Sequence, residues 1–108
     1  MAEYYEQSRL VGRRIAASRQ AVGLSAADLA ERLGWPRDTL VNYETGRRRI
    51  TIESLMQIAE ALNILAAVLL LDDPMLATLV TQFAREPNVM EDVRFFLDAR
   101  GDELPPEA

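Results

Sequence analysis

The chain contains no cysteine and no histidine. The first absence removes any disulfide framework, thiol nucleophile or thiolate metal site. The second removes the commonest general base and the commonest metal ligand. Lysine is missing too, so all 12 basic residues are arginine. The longest unbroken apolar run, Ile64 to Leu71, has eight residues. A membrane-spanning helix needs about 20, so this run reads as core or interface. The N-terminal MAEYYEQS is polar and acidic, unlike a secretory signal, and there is no Gly-rich phosphate loop. Paired carboxylates do occur, at Asp72-Asp73 and Glu91-Asp92. Adjacent residues on a helix point in different directions, so neither pair suits acid/base work. No set of oxygen ligands has a recognised metal-binding spacing. These absences argue against an enzyme, a cofactor or a metal site, and for a soluble cytoplasmic protein.

What is present is a chain of 108 residues, 49% hydrophobic and 27% charged, with a net charge of −5. That length fits one small domain, or one with an appendage. A single core of this size gives only a modest stability margin, so dimerisation would help. The net charge hides an asymmetry. Residues 9–64 carry an excess of +3, whereas residues 65–108 carry −6 and residues 1–8 carry −2. A polyanion meets local charge first, so the basic excess outweighs the acidic total as a guide to partners.

No strand-like alternation persists, and helical spacing recurs throughout. A first helix is expected over residues 7–21, with Val11, Ile15 and Ala16 inward, ending at Gly23. Ser25 caps a second, with Asp28 three residues on as a weaker form of the capping box. Its inner residues are Leu29, Ala30 and Leu33, and Gly34 stops it. A third begins at Pro36, a residue suited to the first helical position. It buries Leu40 and Tyr43, follows Trp35 and ends at Gly46. Thr51 caps a fourth, whose Ile52, Leu55, Ile58, Ala59 and Leu62 recur at 3-3-1-3 spacing. A short apolar fifth helix is expected at 66–71. Asp73-Pro74 then caps a sixth carrying Leu76, Leu79, Val80 and Phe83, which Pro87 breaks. Val89, Val93, Phe96 and Leu97 mark a seventh, which Gly101 closes.

Two short helices joined by a tight turn, the first from Ser25 and the second from Pro36, make a helix-turn-helix. The segments "LSAADLAERLGWPRDTLVNYETGRRR" and "TIESLMQIAEALNI" resemble the Xre/Cro type, the family of lambdoid phage repressors, over roughly residues 9–71. The resemblance implies an all-α fold. A five-helix lambda-repressor-like DNA-binding domain would occupy 9–71, after an N-terminal arm at 1–8. Two further C-terminal helices at 74–101 and a disordered tail at 102–108 would follow. It also implies a sequence-specific regulator of transcription, a repressor, that reads double-stranded DNA with the helix starting at Pro36.

The residues of that helix agree with this role. A recognition helix buries one face and offers a polar one to the major groove. Opposite Leu40 and Tyr43 stand Arg37, Asp38, Val41 and Asn42. Arg37 can donate two bonds to guanine, Asn42 can pair with adenine, Asp38 can accept from cytosine or simply repel phosphate, and Val41 can touch a thymine methyl; the bland alternative is a solvated helix face. In the family the loop after this helix lies along the DNA backbone. That assigns phosphate contacts to Arg47, Arg48 and Arg49, with Thr39 beside them. The bland reading of the three arginines is a solvated charge run. The family also pairs an arginine at the end of helix one with the glutamate of Tyr-Glu-x-Gly, which gives Arg19 and Glu44 a structural salt bridge. Two departures remove donors. Ala26 stands where the family commonly has a glutamine reaching phosphate, and Pro36 stands where it often has Ser or Thr. Affinity would then lean harder on the arginines, including Arg13, Arg14 and Arg32.

Residues 74–101 lie outside this pattern and carry two apolar stripes. They suggest a homodimer interface built from Leu65, Val68, Leu69, Phe83, Phe95 and Phe96. Operators of this family are usually palindromic half-sites, which a two-fold dimer matches. Two alternatives stand beside this reading. The helices can pack on their own domain and leave a monomer, or they can bind a different protein. Some relatives are antitoxins that bind a toxin through such an extension, and an antitoxin-like interaction module is the rival to the repressor.

Overall fold

The computed structural model describes residues 2–106. Helices α1 (Ala2–Ala21), α2 (Ala26–Leu33), α3 (Arg37–Glu44) and α4 (Ile52–Leu62) are followed by a 3₁₀ turn at Ala66–Leu69, then by α5 (Pro74–Arg85) and α6 (Pro87–Ala99). The fold is all-α, with no strand among the described residues. The chain divides into two compact units, Met1–Leu70 and Leu71–Ala108.

In the first unit, local chemistry sets the helix ends. The Ser25 hydroxyl accepts from the Asp28 amide, and the Asp28 carboxylate accepts from the Ser25 amide, both at 3.0 Å, so the capping box of α2 is complete. The Ser25 backbone amide first, and then the Ser25 hydroxyl, hold the Asp28 carboxyl below the usual range by hydrogen bonding to it. Gly34 turns the chain out of α2 in the left-handed region, at φ 69°, where a Cβ would be strained. Three residues later α3 has begun. The Thr51 hydroxyl accepts from the Ser54 amide and caps α4.

The core gathers Val11 and Ile15 from α1, Leu29 from α2, Leu40 from α3 and Leu55, Ile58 and Leu62 from α4, with Leu69 from the 3₁₀ turn. Four helices thus share one apolar centre. Helices α2 and α3 are held by the same contacts that stabilise the unit.

Several boundaries differ from the sequence expectation. α1 begins at Ala2, so it absorbs most of the segment assigned to an arm at 1–8. Alanine, glutamate and glutamine there favour helix, and no glycine or proline stops it. Met1 lies outside the described residues. The expected helix over 66–71 is a 3₁₀ turn of four residues, a form suited to short connectors. Ile52 belongs to the apolar spacing of α4 yet is 80% exposed. Periodicity identifies a helix face, but not how far along the axis the core extends.

The second unit is a helix pair. Asp73 caps α5 by accepting from the Met75 amide at 2.9 Å, and Pro74 takes the first helical position. Glu86 alone separates α5 from α6. No residue of either helix is fully buried. Helix α6 ends at Ala99, and the tail expected over 102–108 is tied down in part. Arg94 Nη2 donates to the Pro105 carbonyl at 2.7 Å. Leu104 and Pro105 line a hollow of about 480 Å³ together with Met90 and Leu97 of α6. Residues 107–108 lie outside the described residues.

Candidate nucleic-acid interface

α3 is amphipathic over only two turns. Leu40 and Tyr43, one turn apart, are its buried members. Arg37 and Asp38 are exposed at its start, and Thr39, Val41 and Asn42 are half-buried. No side chain caps the first turn, because Pro36 occupies the cap position and has no hydroxyl or carboxylate.

The turn after α3 is locked to it. The amides of Arg47 and Arg48 both donate to the Asn42 carbonyl, at 3.0 and 3.1 Å. The Thr45 hydroxyl donates to the Val41 carbonyl at 2.9 Å. The backbone that carries the arginines is therefore fixed relative to the polar face of α3. Arg47, Arg48 and Arg49 are all exposed. The Arg48 guanidinium lies over the Tyr43 ring, 5.2 Å from its centroid, a cation–π arrangement that holds the charge at the surface.

Tyr43 links several elements at once. Its hydroxyl shares a hydrogen bond with Ser54 Oγ at 3.1 Å, which joins α3 to the first turn of α4. Its ring sits 5.6 Å from that of Trp35, tilted by 52°. Its outer face carries Arg48. The sequence marked Tyr43 as a core residue and gave no sign of this second role.

Arg19 and Glu44 meet in a fork. Arg19 Nε donates to Glu44 Oε2 at 2.8 Å, and Nη2 donates to Oε1 at 3.0 Å. Nη1 donates to the Leu24 carbonyl at 2.8 Å. The side chains are only 11% and 9% exposed. The bond to Glu44 raises the Arg19 pKa further above its already high ordinary value. The pair ties the end of α1 to the end of α3 and to the segment leading into α2.

A second α1–α3 contact was missed in the sequence. A Cβ on Gly12 would fall closer than 3.0 Å to the carbonyl oxygens of Tyr43 and Glu44. The backbone of α1 therefore rides directly on the last turn of α3. The available signal was an isolated glycine inside a helical pattern, which often has a packing reason.

Two sequence assignments change. Leu69, placed in the dimer interface, is 0% exposed and belongs to the core of the first unit. A run that is apolar at every position does not show which members turn inward, and the 3₁₀ turn sends Leu69 in. Arg14, counted among arginines available to DNA, donates from Nη1 to the Leu69 carbonyl at 3.2 Å and holds that turn. Of the other interface candidates, Leu65 is exposed and Val68 half-buried, both in the first unit. Phe83 is half-buried in α5. Phe95 and Phe96 stand 78% and 59% exposed on α6, with the Arg100 guanidinium 5.8 Å from the Phe96 centroid.

Among the described residues no group of three or more acids could hold a metal ion. Among the described residues no helix is long and apolar enough to cross a membrane.

A family model described as helix-turn-helix matches residues 15–69, just over half of the chain. No curated protein matches. Among solved structures, the restriction-modification controller protein C.AhdI from Aeromonas hydrophila is 31% identical, with a TM-score of 0.56 over 57% of this chain and 94% of that one. The clp gene regulator ClgR from Corynebacterium glutamicum is 21% identical, with a TM-score of 0.58 over 87% of this chain and 93% of that one, a likeness of fold.

Proposed function

The chain belongs to the helix-turn-helix family, in its Xre/lambda-repressor-like form, and from that premise we propose that it is a sequence-specific DNA-binding regulator acting as a repressor. The observation that carries the reading is the bonding of the Arg47 and Arg48 amides to the Asn42 carbonyl. It makes one rigid piece of a polar helix face and an arginine-bearing turn. In the proposed complex α3 enters the major groove. Arg37, Asp38, Val41 and Asn42 meet base edges, while Arg47, Arg48, Arg49 and Thr39 meet phosphates. The two sets do different work, since phosphate contacts fix position and base contacts carry sequence information.

The regulator is proposed to bind as a homodimer through the second unit, with α6 presenting Phe95 and Phe96. A pair of subunits related by a two-fold axis matches half-sites about one helical turn apart. Occupying such a site over a promoter blocks polymerase directly, the simplest form of repression.

The test is fluorescence anisotropy with DNA from the chain's own upstream region, against scrambled DNA of equal length, across a salt series. Tight binding with a clear preference for the upstream DNA supports a regulator. Equal, weak binding to both that vanishes at moderate salt would remove the specific reading.

A further inference from the structure

We propose that Arg9 extends the phosphate-binding surface onto α1, so that the DNA backbone is held by the first helix as well as by the turn after α3. The proposal rests on the DNA-binding reading above.

Gly46 is buried and takes a left-handed φ of 76°. A Cβ built there would lie 2.5 Å from Arg9 Cγ and 2.9 Å from Arg9 Cα. The stem of Arg9 therefore lies against the turn from which Arg47, Arg48 and Arg49 project, while the residue itself stays exposed. This close approach explains the glycine at 46 beyond its φ, because any side chain would displace Arg9.

The surface continues beside it. Gln7 and Ser8, just before Arg9 on α1, line an open hollow of about 280 Å³ together with Val11, Arg49 and Ile50. None of these lining residues is acidic. Gln7 and Ser8 of α1 and Arg49 of the post-α3 turn thus share one face. Glu6, one turn before Arg9 on α1, is acidic and also exposed. Exposed pairs of that kind are weak in water, which leaves the Arg9 charge for a phosphate. Arg9 stands against Gly46, in the turn that carries Arg47, Arg48 and Arg49. Its contact is therefore to backbone phosphate, and it strengthens binding without adding specificity.

The experiment compares wild type, Arg9→Gln and Arg9→Lys in the same anisotropy salt series on upstream and scrambled DNA, with melting temperatures in parallel. Arg9→Gln keeps a stem against Gly46 and removes only the charge. It is expected to weaken both DNAs by the same factor and to lower the slope of log K against log salt by about 1. Its melting temperature should not change, and Arg9→Lys should keep the wild-type slope. An unchanged slope in Arg9→Gln, while the wild type binds, overturns the proposal and leaves the DNA-binding reading standing. A lower melting temperature with an unchanged slope makes Arg9 purely structural and also overturns it. A wild-type chain that binds neither DNA overturns both readings together.

Discussion

Arg37 and Arg48 are both exposed arginines within a dozen positions of each other, yet they are expected to fail differently. Arg37→Ala should cost about 1–3 kcal/mol of discrimination at one base pair and relax specificity there. Arg48→Ala should weaken all DNA about equally and lower the salt slope by about 1. Both are read by anisotropy on the operator and on single-base variants, and identical behaviour of the two would merge their assigned roles. Arg19→Ala tests the structural side. It strands Glu44, which is 9% exposed, and breaking such a pair costs about 3–5 kcal/mol. The expected result is a clearly lower melting temperature, and an unchanged one would make the fork dispensable. Gly12→Ala should also destabilise, by about 1–3 kcal/mol, because its methyl would overpack against the Tyr43 and Glu44 carbonyls. These residues also mark how far sequence carries. Arg19 and Glu44 were legible because charge chemistry and a family pattern both point to them. Gly12 and Arg9 were not, since their roles depend on which turn of α1 crosses α3, and no local spacing encodes that crossing.

At the scale of elements, the ends were more legible than the interiors. Ser25, Asp28, Thr51 and Asp73 act through bonds to backbone within a few residues, and Gly34 and Pro74 through their own φ, so their effect can be read without knowing the fold. The exception among the ends is the start of α1, expected at residue 7 and found at Ala2. Two other misplacements, Ile52 in the core stripe and a full helix at 66–71, concern tertiary reach, which a local pattern does not contain. The capping box of α2 carries a pH signature. The Asp28 carboxyl is held below its ordinary range by its bonds with Ser25. A group whose folded pKa is depressed contributes stability that is present above its unfolded value, about 3.9. That stability is lost as pH falls through the lower folded value. Asp28→Asn should therefore lower the melting temperature at neutral pH and converge with wild type in strong acid, well below about pH 4. Thermal melts of the two chains across that range decide it. A constant difference at every pH would assign the effect to shape or packing instead of charge.

For the whole molecule, the division of charge and the division of structure nearly coincide. The basic excess at 9–64 lies in the unit that ends at Leu70, and the acidic excess at 65–108 lies almost wholly in the other. Charge of opposite sign along one chain suits a division of labour in which the first unit meets a polyanion and the second stays off it. The second unit is also the poorer in buried residues, with none fully buried in α5 or α6. A helix pair that buries so little of its own apolar surface gains from a partner, and a second copy supplies one without any further gene product. The double variant Phe95→Asp and Phe96→Asp removes two exposed aromatics of α6 while leaving the core of the first unit untouched. Loss of an aromatic anchor typically costs about 2 kcal/mol or more of association, so sedimentation should show the dimer shifting towards monomer by at least about 30-fold in Kd. The same variant should lose its preference for a two-half-site operator over a single half-site, because the avidity of two linked recognition helices goes with the dimer. If sedimentation shows the wild type already monomeric, the aromatics belong to a different partner. A variant that stays dimeric and still prefers the paired site would place the two-fold contact elsewhere on the chain.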